Sequence, residues 1–210
     1  MLVAIAVAAL AAAGAVTLAA HSEDGGSAAE VTELTPSGAA APPSPFKGAQ
    51  RPLTKPRDFA LRDQDGKLVR LRDLRGRVVV LSGMYTTCTD TCPLTAHQIR
   101  AALDDLSSDE RAQVTALALS VDPAHDTPQS AKIFLVKRQV NRHLDFLLGT
   151  RGELAPVWRD YGFSPQTEKT EHNSYVVLID RRGRQRVGFA VDFLTPEDLA
   201  HDLRVLLREN

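Results

Sequence analysis

Residues 78–103 read VVVLSGMYTTCTDTCPLTAHQIRAAL, and the fold follows from what changes along this stretch. Val78-Val79-Val80-Leu81 is too continuously apolar for a strand with one wet face, so it predicts a strand covered on both sides. After the loop, Ile99, Ala102, Leu103 and Leu106 recur at helical spacing, and Pro93 suits the first position of that helix, where a missing N–H costs little. Cys88-Thr-Asp-Thr-Cys92 therefore sits between a buried strand and a helix N-terminus. There the unpaired amides and the macrodipole favour thiolate over thiol, which makes the pair both nucleophilic and a soft ligand set. A mere staple would close a five-residue loop and gain little from it.

Working outward, further apolar runs stand at Val114 to Leu119, Leu144 to Leu148 and Tyr175 to Ile179. Helical patterns separate them: Ile133, Val136 and Val140 after the first, and Leu154, Val157, Trp158 and Tyr161 after the second. A strand at Gln185 to Val191 follows the turn Arg182-Gly183, and a last helix carries Leu199, Leu203, Leu206 and Leu207. Upstream, Phe59-Ala60-Leu61 and Leu68 to Leu71 flank Asp65-Gly66, a hairpin signature. The order predicts an α/β sandwich of thioredoxin type, a central mixed sheet flanked by helices with an N-terminal hairpin. The basic turn Arg181-Arg182-Gly183-Arg184 reads as a solvated hairpin tip.

This domain is assigned to residues 57–210. Residues 1–56 hold 6 of the 12 prolines and neither cysteine. Within them, residues 2–20 carry no charge and approach the ~20 residues that span a bilayer. Residues 1–20 are read as a membrane anchor in preference to a cleaved signal, and the Gly-, Ala-, Ser- and Pro-rich residues 21–56 as a flexible tether. That arrangement places the domain on the extracytoplasmic side of the cytoplasmic membrane. A formal net charge of −1 gives no bulk attraction to nucleic acid or to anionic surfaces.

Three residues between the thiols discriminate among chemistries. Dithiol oxidoreductases typically use two, haem attachment needs His where Pro93 stands, and closed structural zinc needs four ligands. Two thiolates with one imidazole suit Cu(I). Of six histidines, His21 lies in the tether, while His97, His143 and His201 read as surface residues. His125 follows a strand end and is a rival. His172 immediately precedes the strand expected beside the cysteine loop, where thioredoxins carry a proline, and is the assigned ligand. In Ser120-Val-Asp-Pro-Ala-His-Asp-Thr-Pro128, either Asp126 or Thr127 can cap the helix begun by Pro128. Asp122 has no such task and is a candidate outer partner or weak extra ligand upon oxidation to Cu(II); Asp126 is the second candidate for that place.

CxxxCP at Cys88 to Pro93, DPxxDTP at Asp122 to Pro128 and the distal His172 resemble, in that order, the Sco/SenC family of copper chaperones. The likeness covers about residues 55 to 208, with Thr87, Thr89 and Gly83-Met84 as local departures. It implies a thioredoxin fold, copper held by Cys88, Cys92 and His172, and a role in assembling the dinuclear copper centre of cytochrome c oxidase subunit II, as copper donor or as thiol reductant. From another class, a metal-independent thiol-disulfide reductase using Cys88 and Cys92 also fits, as does a plain copper-sensing or storage domain. A peroxidase fails on Tyr85 and Val80, three and eight residues before Cys88, which replace the Thr and Pro such a site requires.

Overall fold

Every residue of the run Val78–Met84 is buried and forms one strand, β4. Its period of two sends Val78, Val80 and Met84 into one core and Val79 and Leu81 into another. Around it the computed structural model describes residues 44–54, 56, 58–167 and 175–209. The strands are β1 (Ala49–Gln50), β2 (Ala60–Arg62), β3 (Leu68–Arg70), β4, β5 (Val114–Ser120), β6 (Asp145–Leu147), β7 (Tyr175–Ile179) and β8 (Gln185–Ala190). The helices are α1 (Thr91–Asp104), α2 (Ser108–Arg111), α3 (Pro128–Lys137), α4 (Arg151–Tyr161) and α5 (Pro196–Arg208).

The main sheet runs β1-β8-β7-β4-β5-β6. β4, β5 and β6 are parallel, while β7 lies antiparallel to β4, as does β8 to β7. One face packs on Ile99 and Leu103 of α1, Phe134 of α3 and Leu203 of α5; the other packs on Leu154 and Trp158 of α4 and on Leu61 of the hairpin. This is the expected thioredoxin-like sandwich. The hairpin β2–β3 forms as its sequence predicts: Asp63 Oδ1 accepts from the amides of Asp65 and Lys67, and Gly66 turns at φ +79°.

Three local expectations need correction. On α3 the inward residues are Ala131, Phe134 and Leu135, while Ile133 and Val136 are 44% and 61% exposed. Both sets fit a helical period, and the larger ring wins by seating edge-on against Phe146, 5.9 Å between centroids. Val140 is buried, but from the turn after the helix. Next, α1 starts at Thr91, with Asp90 as its cap, so Pro93 stands third; no N–H is lost, because that position has no intrahelical acceptor.

Lastly, the domain includes part of the expected tether. Phe46 joins the core, Ala49–Gln50 pair with Val187–Gly188 of β8, and the amides of Lys47 and Gly48 donate to the fully buried Asp202 carboxylate at 2.8 and 2.9 Å. The proposed anchor, the tether up to residue 43, and the segment 168–174 with His172 lie outside the described residues. Among the described residues no helix is long and apolar enough to cross a membrane.

Candidate dithiol site

β4 and β5 end level, Met84 opposite Ser120, so the loops after them lie side by side at one end of the sheet. The first is the cysteine loop, and a single carboxylate ties it to the second. Asp126 Oδ1 accepts from the Thr86 amide at 2.7 Å, and Oδ2 from the Ser120 hydroxyl at 2.6 Å. Thr127, not Asp126, caps α3, through a reciprocal box with Ser130. Asp126 is therefore a strut rather than a cap. Burial pushes its pKa up, against the two hydrogen bonds that favour the charged form. Asp126→Ala leaves a buried amide and hydroxyl without their acceptor and is expected to cost ~2–4 kcal/mol in urea unfolding, with Asp126→Asn costing less. A loss below ~0.5 kcal/mol removes the strut.

Cys88 and Cys92 are both buried, as free thiols. Cys92 lies in the first turn of α1, and its amide donates to Cys88 Sγ at 3.2 Å; Thr91 Oγ1 lies 3.5 Å from the same sulfur. The Cys92 thiol is the strongest donor to that sulfur. With Thr91 and the free amides it outweighs burial and holds the Cys88 pKa at about 5. Cys92, whose proton serves that bond, is pushed up, further so by its burial. One thiolate is thus shared by the pair and sits on Cys88. Tyr85 is pushed up as well, by burial and then by the neighbouring Cys88 charge.

Asp122, 7% exposed, accepts from His125 Nδ1 at 2.8 Å. Both line a cavity of about 560 Å³ together with Tyr85, Thr87 and Gln166. The structure thus brings Asp122 to the mouth of the cysteine loop, with its carboxylate held by histidine. Of the other histidines, His97 is exposed, with Nε2 3.1 Å from Arg138 O, and His201 is half-buried, with Nε2 3.1 Å from Pro45 O; His143, expected at the surface, has a side chain only 18% exposed, with Nε2 2.7 Å from Asp104. Among the described residues no group of three or more His, Cys, Asp or Glu side chains converges as a metal site.

Comparison with known proteins gives the same answer along most of the chain. The family model described as SCO1/SenC matches residues 47–208. A SCO2-like protein of Rickettsia prowazekii is 26% identical over 150 residues, covering 66% of this chain and 71% of that protein. Among solved structures, ScoI of Bradyrhizobium japonicum with copper bound is 32% identical at a TM-score of 0.62, covering 73% of this chain and 100% of that one. Apo Sco1 of Thermus thermophilus is 25% identical at a TM-score of 0.68, covering 77% and 97%.

Proposed function

We propose, from the premise that this chain belongs to the SCO1/SenC family, that it is a copper-binding assembly factor for cytochrome c oxidase. It carries Cu(I) on Cys88, Cys92 and His172, and serves the dinuclear copper centre of subunit II by delivering copper or by reducing its cysteines. The observation that carries this reading is the pair of buried sulfurs held side by side at the start of α1. Cys88 Sγ already takes the Cys92 amide at 3.2 Å, with the second sulfur hydrogen-bonded to it. Two adjacent sulfurs, one of them charged before any metal arrives, are a soft donor pair of the kind Cu(I) prefers. The copper held by the ScoI protein of Bradyrhizobium japonicum supports the same cargo.

In this reading the two thiolates supply charge and the imidazole of His172 completes a low-coordinate site. Asp122 acts one shell further out, and Asp126 holds the loop. The uncharged residues 2–20 anchor the chain, with the domain on the extracytoplasmic side. A second reading rests on the same geometry. A Cys88 thiolate with the Cys92 thiol beside it is also an attacking and a resolving pair, able to reduce a partner's disulfide by passing it two electrons and the Cys92 proton while closing its own, the partner's second thiolate taking any further proton from solvent.

Anaerobic titration of the reduced chain with Cu(I) against a competing chelator tests the first reading. One copper per chain is expected, and Cys88→Ser, Cys92→Ser and His172→Ala should each weaken binding by ~100-fold or more, with His125→Ala unchanged. Unaltered affinity in His172→Ala, with loss in His125→Ala, overturns the ligand set. The readings separate in His172→Ala, which loses copper transfer to a dithiol acceptor but keeps metal-free disulfide reduction if the thiols alone do that work.

A further inference from the structure

At the other end of the sheet, where β4, β5 and β6 begin, four guanidinium groups gather around two adjoining cavities of about 650 and 230 Å³. Arg111 and Arg142 line both cavities; Arg100 lines the larger and Arg77 the smaller. Two carboxylates face them, and both are engaged: Asp104 by Arg100 and His143, and Asp145 by the Gln64 amide. Arg77 is anchored by Thr115 Oγ1 and the Val114 carbonyl, and Arg111 reaches that same carbonyl at 3.4 Å. Arg142 has no hydrogen bond or ion pair among the described residues. His143 Nδ1 is buried without a partner.

Three arginines line each hollow, two of them shared, and such like charges repel each other; in a chain of net charge −1 nothing in the bulk composition calls for them. Burial, and then the like charge of Arg77, lower the basicity of Arg111, as expected where guanidiniums crowd without enough counter-charge. The unengaged planar fork of Arg142 offers paired donors that match an oxyanion bearing several acceptor oxygens, and the N–H groups that Arg77, Arg100 and Arg111 do not spend internally add to them. The hollow is large for orthophosphate.

We propose that Arg77, Arg100, Arg111 and Arg142 form a binding site for a phosphate-class oxyanion larger than orthophosphate, either free, as a diphosphate, or presented as an anionic lipid headgroup. The site lies at the opposite end of β4 from the cysteine loop. Over the seven residues of that strand the separation is about 20 Å, so anion and copper need not compete.

Two arms distinguish the sources, both using the metal-free, reduced full chain at low ionic strength. In the first, calorimetry with inorganic pyrophosphate is expected to show one site, weakened ~10-fold or more by Arg142→Gln and by Arg111→Gln. In the second, sedimentation compares phosphatidylglycerol vesicles with phosphatidylcholine vesicles, since the N-terminal segment contributes equally to both. Excess binding to the anionic vesicles that disappears in the same two variants assigns the headgroup; pyrophosphate binding without that excess assigns the free ligand. Arg142→Gln removes no hydrogen bond or ion pair within the described residues, so its melting temperature should stay that of the parent. Arg159→Gln, an exposed arginine on α4, should leave binding unchanged. Absence of binding in both arms overturns the proposal, as does equal weakening by Arg159→Gln, which reduces the effect to net charge.

Discussion

Alkylation of the reduced protein should modify Cys88 alone, with a rate that is flat from about pH 6.5 to 9 and falls through a midpoint near 5. The absolute rate at pH 7 will mislead. An ordinary thiol with a pKa of ~8.5 is only ~3% ionised there, so Cys88 holds ~30-fold more thiolate, but a low-pKa sulfur is intrinsically less nucleophilic by a similar factor. At pH 6 the thiolate advantage grows to ~300-fold and the net gain to ~10-fold, which is where the measurement should be made. Cys92→Ala removes the strongest donor to the Cys88 sulfur and should raise the midpoint by more than one pH unit. A wild-type midpoint near 8.5 would falsify the shared thiolate. Stability follows with a definite sign. Between pH 5 and ~8.5 the unfolded chain holds a proton that folded Cys88 has lost, so reduced protein gains stability as pH rises. Above that range the unfolded chain sheds the second proton while folded Cys92 keeps it, and stability declines. Urea midpoints of the reduced chain should therefore peak near pH 8.5 and lose that peak in Cys88→Ala.

The second large effect lies far from the thiols. A chain beginning at residue 57 should be less stable by ~5 kcal/mol or more than one beginning at Ser44, enough to unfold an ordinary domain. Losing Phe46 from the core corresponds to a large-to-small change of ~3–5 kcal/mol. Removing the Lys47 and Gly48 amides leaves Asp202 a buried carboxylate without its donors, a change in the same range. β8 also loses its edge partner β1, and Gln185 loses Arg51 Nε, which donates to its Oε1 at 2.9 Å. These losses overlap and will not add in full. Urea unfolding of the two chains, with Phe46→Ala as an intermediate case, checks the ordering. Equal midpoints for the two chains would return residues 44–54 to the tether.

What could be read from the sequence tracks the range of the interactions. The hairpin, the buried strands and the apolar faces of α1, α4 and α5 are written in local periodicity, and they appear where the sequence puts them. So does the position of Cys88 and Cys92 at a helix start, which depends on a few neighbouring residues. On α3, residues 131, 133, 134, 135 and 136 are all apolar. Periodicity cannot then choose a face, and the choice falls to Phe146, distant in the chain. The N-terminal strap is hidden for a related reason. Its composition is that of a linker, and what orders it is a carboxylate 155 residues away from Lys47. The choice between Asp126 and Thr127 as cap is open in the sequence because it shows their helix and not the Thr86 amide, 40 residues upstream of Asp126.

The helix start that steadies the Cys88 thiolate also sets how easily the two sulfurs give up electrons. Every donor that lowers the energy of the sulfur anion, the Cys92 amide and the Thr91 hydroxyl among them, favours the dithiol state and has less to offer a neutral disulfide. The reduction potential of the pair is thereby raised, so the couple is more oxidising than an unassisted pair and a larger fraction of it stays reduced at equilibrium with a given glutathione buffer. Weakening those donors, for example with Thr91→Ala, should shift the couple toward the disulfide in a redox-buffer titration. In an oxidising compartment the same few hydrogen bonds would keep both sulfurs available between encounters with a partner.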